Sequence, residues 1–120
     1  MSYTAQDLMR LLDMKPHIEG GWYSAVGPFG VDIPLEGLPE GYGGGRKSAS
    51  RIYYMLQRGE GSRWNMLRSD ELWLWQMGGS TETLLGGSGD APGTGEILRL
   101  GPRLELGEGL GILVPARQWQ

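Results

Sequence analysis

The chain has 120 residues, and its 14 acidic and 11 basic side chains give a net charge of −3. This length predicts one domain over residues 1–120, and the acidic balance excludes the basic surface of a nucleic-acid-binding protein. The absence of cysteine excludes disulfides, thiolate catalysis and cysteine-based metal sites, and a single histidine excludes a multi-histidine site within one chain.

The N-terminal sequence shows no targeting signal, because a basic segment followed by an apolar one is missing. The longest apolar runs are far shorter than the roughly 18 residues of a membrane-spanning helix. We therefore expect a cytoplasmic protein that does not bind to a membrane.

Residues 4–14 predict one short helix. Thr4, with Asp7 three residues later, is an N-cap signal, and the leucines that follow form one apolar stripe. Pro16 is expected to end the helix. Because so short a helix is marginal in isolation, we expect it to pack against the rest of the chain.

Beyond the helix, the chain consists of short runs rich in Ile, Leu, Val, Tyr and Trp, each bounded by turn residues. Such runs at intervals of about 8–12 residues predict an all-β sandwich or barrel. The runs are 21–26, 50–57, 62–67, 71–77, 81–85, 96–100 and 110–114. Residues 27–47 are rich in glycine and proline, which predicts a long, mobile loop.

Several of these predicted strands are apolar on both faces. In 71–77, Trp73 and Trp75 alternate with Leu72 and Leu74. Because a sheet with one face in water alternates apolar with polar residues, we expect the outer face to be covered. The helix, a second sheet or another subunit could cover it. We expect a homodimer, held partly by residues 16–26 and partly by these outer faces.

The spacing between Gly59 and Gly78 is that of the first cupin motif, G-x5-H-x-H-x3,4-E-x6-G. Glu71 stands at the glutamate position, whereas Asn65 and Leu67 replace the two histidines.

The spacing from Gly109 follows the second cupin motif, G-x5-P-x-G-x2-H-x3-N. Pro115 fits this motif, Arg117 replaces its glycine, and Gln120 replaces its histidine. The two blocks together resemble the cupin superfamily.

A second resemblance begins at residues 16–23, Pro-His-Ile-Glu-Gly-Gly-Trp-Tyr. They are similar to the Pro-His-Pro-Glu-Gly-Gly-aromatic opening of a family of small cupin-like proteins of unassigned function. Further blocks agree in order at 52–56, 62–65, 69–73 and 114–116. The resemblance spans roughly residues 8–120.

This resemblance implies a jelly-roll β-barrel of cupin type with one short N-terminal helix. It also implies a dimer with a small-molecule pocket in the barrel mouth, but no known reaction. The family usually has histidine where this chain has Asn65 and Leu74, and proline where it has Ile18. Its domain runs further than this chain, so we expect the closing strands to be missing here.

In the motif geometry, Asn65, Leu67, Glu71 and Gln120 point into the barrel. Two neutral amides and one carboxylate are poor ligands for Fe, Mn or Zn, so we expect no metal and no cofactor. They suit hydrogen bonding to hydroxyl or carbonyl groups.

Trp73 and Trp75 share the parity of Glu71 and would line the same cavity. Such a cavity fits a small, polar-edged molecule such as a sugar or a short acid. In the alternative interpretation, both tryptophans fill the core and Glu71 pairs with an arginine such as Arg63.

The other candidate ligand-binding residues are His17, Glu19, Tyr54 and Arg63. His17 and Glu19 lie in the opening motif, where they could equally serve turn geometry before a strand.

Two functional hypotheses follow. The first is a metal-independent protein that binds a small polar ligand in the barrel mouth without a defined reaction. The second is a metal-free isomerase or epimerase in which Glu71 acts as acid and base. A structural subunit is a third possibility if the barrel is open.

Overall fold

The computed structural model describes residues 2–120, of which 38% lie in strands and 11% in helices. The chain divides into two compact units, one ending at Arg63 and the other spanning Trp64–Gln120. The single domain expected over residues 1–120 stays a prediction. The elements in chain order are α1 (Ala5–Leu11), β1 (Lys15–Pro16), β2 (Trp22–Ile33), β3 (Arg46–Met55), β4 (Glu71–Leu74), β5 (Thr81–Leu85), β6 (Glu96–Leu100) and β7 (Gly111–Val114).

Helix α1 begins with the predicted cap. The Thr4 side chain accepts a hydrogen bond from the backbone N–H of Asp7 at 3.1 Å, and Asp7 Oδ2 accepts one from the Thr4 N–H at 2.9 Å. The helix ends earlier than predicted, because Asp13 takes a left-handed φ of 50° well before Pro16 is reached. Pro16 instead lies in β1.

The first unit contains a sheet in the order β1-β2-β3, and its main feature is the long hairpin of β2 and β3. The prediction of a mobile loop over 27–47 is wrong at both ends of that segment, since β2 continues to Ile33 and β3 begins at Arg46. Gly27 and Gly30 have φ of 110° and 91° and lie where the pairing register shifts. Glycine therefore forms bulges here rather than ending the strand.

The second unit contains two antiparallel pairs, β4 with β7 and β5 with β6. Strands β5 and β6 have the predicted bounds. The predicted strand at 62–67 is reduced to one bridge, between Met66 and Trp119. The buried core of the unit consists of Leu100, Ile112 and Val114, with Trp73, Trp75, Leu85 and Leu98 packed against it.

The expected closed barrel is not found over residues 2–120, where the strands form three separate sheets. Sheets of two or three strands keep unpaired edges, which only closure would remove. The mostly β composition and the one short α-helix agree with a cupin fold. Within the same residues, no helix has the length and apolar character needed to cross a membrane.

Candidate functional site

Four candidate residues meet in the second unit through strand pairing. Glu71 and Trp73 alternate along β4 on its half-buried face, opposite the buried residues Val114 and Ile112 of β7. Asn65 and Gln120 exchange both backbone hydrogen bonds, each 3.0 Å long. Because such a pair places its two side chains side by side on one face, the two amides are neighbours.

The indole N–H of Trp73 joins this group. It donates to Glu71 Oε1 at 2.7 Å and to Gln120 Oε1 at 3.2 Å. Since an indole nitrogen can only donate, this bond orients the Gln120 amide with its oxygen towards Trp73. We call Asn65, Glu71, Trp73 and Gln120 the amide–carboxylate cluster.

The amide nitrogen of Gln120 is the exceptional atom of the cluster. Nε2 is buried and has no hydrogen-bond partner, and it is the one such side-chain atom found among residues 2–120. A buried donor without an acceptor costs about 1–3 kcal/mol, so the geometry favours an acceptor at this point.

The indole N–H of Trp75 has a different hydrogen-bond acceptor from that of Trp73. Its indole N–H donates to the Gly78 carbonyl at 3.3 Å, and its ring packs against the core of the second unit. Trp73 packs against the same core. The core-filling interpretation therefore describes both rings, although only Trp73 also carries a polar contact to Glu71.

His17, Glu19 and Tyr54 meet in the first unit, at the turn before β2. His17 Nδ1 accepts the backbone N–H of Glu19 at 3.0 Å, and the Tyr54 hydroxyl donates to the Gly20 carbonyl. The His17 ring meets the rings of Tyr23 and Tyr54 edge-on at 5.2 and 5.3 Å. Each of these contacts supports the turn geometry.

Arg63 belongs to the same turn through its backbone, since its N–H donates to the Glu19 carbonyl at 2.7 Å. Within Trp64–Gln120, Glu71 forms no ion pair; Trp73 is its hydrogen-bond partner. Leu67, expected to point inwards, exposes 40% of its surface. The carboxylate of Asp70 accepts a hydrogen bond from the Ala116 N–H at 2.8 Å and so stabilises the turn that follows β7.

Sequence reasoning missed a buried acid at Glu108, which was not among the candidate residues. Its side chain is 2% exposed and accepts hydrogen bonds from Arg103 N and Nε at 2.8 and 3.1 Å. The Arg103 side chain and then Ser80 lower the pKa of Glu108 from 4.5 to about 2. The one signal in the sequence is a charged residue between Gly107 and Gly109.

Two open clefts lie away from these clusters. One, of about 470 Å³, is at the end of the hairpin and is lined by Asp32, Ile33, Pro34, Gly45, Arg46 and Lys47. The other, of about 370 Å³, lies along β6 and β7. Neither is lined by a residue of the amide–carboxylate cluster.

The residues at the metal positions of the cupin motifs do not fit a transition metal. They are Asn65, Leu67, Glu71 and Gln120, which supply one carboxylate and two neutral amides. Across residues 2–120, no group of three His, Cys, Asp or Glu side chains is placed to hold a metal ion.

Comparison with known proteins identifies relatives of this chain. It is similar to the structure of a hypothetical protein from Leishmania major, with 26% identity and a TM-score of 0.81 over 98% of this chain and 68% of that one. It is also similar to a crystal structure from Shewanella oneidensis, with 27% identity and a TM-score of 0.77 over 98% and 67%. A comparison with curated proteins found no match. Residues 6–120 match the family Cupin_5 of the cupin superfamily, DUF985, and the chain therefore belongs to that family.

Proposed function

We propose that this protein binds a small polar molecule at the amide–carboxylate cluster without a metal ion. The observation that carries the proposal is the buried, unpartnered Nε2 of Gln120 beside the Glu71 carboxylate. A ligand oxygen at Nε2 would supply the missing acceptor and recover the free energy that the unpaired donor costs.

The other cluster members suit the same role. Trp73 contributes an aromatic ring together with a donor that holds both Glu71 and Gln120 in place. Asn65 adds a second amide next to Gln120. Small-molecule sites combine apolar walls with a few oriented polar groups in this way.

His17, Glu19, Tyr54, Arg63 and Trp75 stay predicted ligand contacts. The support for His17 is its orientation, since Nδ1 accepts a backbone N–H and the neutral ring must then carry its proton on Nε2. The cytoplasmic location likewise stays a prediction. The barrel mouth was expected as the place of binding, but it requires a closed barrel, which residues 2–120 do not form.

The test is ligand binding by a Gln120→Leu variant. Saturation-transfer NMR with a panel of sugars and short carboxylic acids would identify binders of the wild-type protein. We expect Gln120→Leu to weaken them about tenfold or more, because a hydrogen bond to the ligand is lost. Gln118→Leu is the matched control and should bind normally. Equal binding by the wild type and a folded Gln120→Leu variant would refute the proposal.

The second candidate is a metal-free isomerase or epimerase with Glu71 as acid and base. It is favoured by one observation, that only Oε1 of Glu71 forms a hydrogen bond within Trp64–Gln120. Glu71→Gln keeps an acceptor for Trp73 but cannot exchange a proton at the side chain. This variant should abolish turnover and retain binding if Glu71 is catalytic.

The homodimer is also proposed here, with an apolar face of the second unit in its interface. Leu72 and Leu113 lie directly opposite each other on β4 and β7, and Leu74 follows on the same face. They are 62%, 55% and 57% exposed. A second copy would remove this apolar surface from water.

A further inference from the structure

The open hydrogen-bonding positions of the cluster define a ligand class. The Trp73 N–H is shared by Glu71 Oε1 and Gln120 Oε1, so neither oxygen needs a donor from the ligand at that position. What stays open is the amide nitrogen of Gln120, with two N–H donors, and the acceptor capacity of the Glu71 carboxylate.

A hydroxyl group matches both open positions. It accepts a hydrogen bond from Gln120 Nε2 through its oxygen, and it donates its own hydrogen to Glu71. Both side chains contact the same indole nitrogen, so the two open positions lie close together.

A carboxylate group on the ligand matches only one of the two open hydrogen-bonding positions. It can accept from Gln120 Nε2, but it has no hydrogen to give Glu71, and it brings a second negative charge close to the first. Within Trp64–Gln120, the ion pairs are Arg99 with Glu82 and Arg103 with Glu108, and neither includes Glu71.

We propose that the cluster selects a neutral, hydroxyl-bearing molecule and rejects the corresponding carboxylic acid, with Gln120 as donor and Glu71 as acceptor. This inference rests on the proposed binding function and narrows it from sugars or acids to neutral polyols. Glu71 is then the residue that determines specificity, because its charge repels the acid.

The test uses ligand pairs that differ only at one carbon. D-glucose with D-glucuronate, and D-galactose with D-galacturonate, exchange a hydroxymethyl group for a carboxylate. We expect the wild-type protein to bind a neutral member at least about tenfold more tightly than its uronate, as measured by calorimetry or saturation-transfer NMR.

Charge variants distinguish the local repulsion between Glu71 and a bound uronate from the effect of the protein's net charge. Glu71→Gln should raise uronate affinity about tenfold and change the neutral sugar less, because repulsion is removed while an acceptor oxygen is kept. Glu96→Gln changes the net charge equally at an exposed position on β6 and should leave both affinities unchanged.

Ionic strength gives a measurement that requires no variant. Added salt should strengthen wild-type binding of the uronate and leave the neutral sugar unaffected, since salt screens the repulsion.

The outcomes distinguish the two proposals. A wild-type protein that binds a uronate as tightly as its sugar overturns the hydroxyl selection and leaves the binding function intact. If no member of either pair binds in a Gln120-dependent manner, both the binding function and the selection of hydroxyl groups are refuted.

Discussion

Arg103 closes around the buried carboxylate of Glu108, donating to Oε1 from its backbone N–H at 2.8 Å and from Nε at 3.1 Å. Its Nη2 reaches Glu108 Oε2 at 3.3 Å and Ser80 Oγ at 3.1 Å. One carboxylate thus organises the turn between β6 and β7. Gly101 makes room for it, because a Cβ there would lie 2.8 Å from Glu108 Oε1.

We predict that this contact makes the protein acid-sensitive. The pKa of Glu108 is lowered from 4.5 to about 2, so its contribution to stability is complete above pH 4.5 and is lost as the pH falls towards 2. Thermal unfolding followed by circular dichroism should show a melting temperature that declines across this window.

The matched variants are Glu108→Gln and Glu82→Gln. Glu108→Gln should lower the melting temperature at neutral pH and flatten the acid decline, because a buried charged partner of Arg103 is removed. Glu82 forms an exposed ion pair with Arg99 at 3.4 Å, so its loss should cost only about 0–1 kcal/mol. Equal effects of the two variants would contradict the role given to Glu108.

Gly20 and Gly27 form a second matched pair. Their φ values are 112° and 110°, but a Cβ on Gly20 would lie 2.3 Å from the Gly61 carbonyl oxygen, whereas one on Gly27 meets nothing within 4 Å. Gly27→Ala should therefore cost about 1 kcal/mol through backbone strain alone. Gly20→Ala should cost about 1–3 kcal/mol more in urea unfolding, because the turn must also shift. Similar costs would show that the close approach is not maintained in solution.

Arg117 occupies the glycine position of the second cupin motif and keeps a glycine-like backbone, with φ of 62°. We predict that Arg117→Gly is more stable than Arg117→Ala by about 1 kcal/mol, because a Cβ is strained in the left-handed region. Both variants lose the arginine side chain, so their difference isolates the backbone. An alanine variant at least as stable as the glycine variant would argue against this conformation.

The proposed dimer can be tested by light scattering at micromolar concentration. We expect the mass of two chains, and we expect Leu72→Lys to shift the mass towards one chain, because a charge is placed in the apolar face. Leu106→Lys is the control, since Leu106 is equally exposed but lies in a 3-10 turn. A wild-type monomer would refute the homodimer.

Elemental analysis tests the absence of a metal centre. Because the motif positions carry Asn65, Leu67, Glu71 and Gln120, purified protein should contain far less than one Fe, Mn, Ni or Zn per chain. A stoichiometric amount of any of these metals, retained after dialysis, would overturn the metal-independent function.

The elements that could be predicted are those with strong local signals. The Thr4–Asp7 capping box and the bounds of β5 and β6 follow from residue type and from flanking turn residues. The resemblance to the cupin-like family, carried by the motif spacings and by the opening at residues 16–23, is confirmed. The strand residues at the two ends of the 27–47 segment were missed, because backbone pairing between β2 and β3 requires no apolar pattern and bulges accommodate the glycines there.

Residue types and their patterns by themselves determined the mostly β composition and the unsuitability of the motif positions for a metal, and the resemblance of the motifs to known ones identified the cupin family. Only the tertiary structure decided which side chains meet. Trp73 and Gln120 are 47 positions apart, and their hydrogen bond depends on two separate strand registers. The burial of Glu108 beside Arg103 depends on the turn between β6 and β7. Local sequence specifies where strands form, but hydrogen-bonding partners are chosen by long-range packing, which no short window of residues encodes.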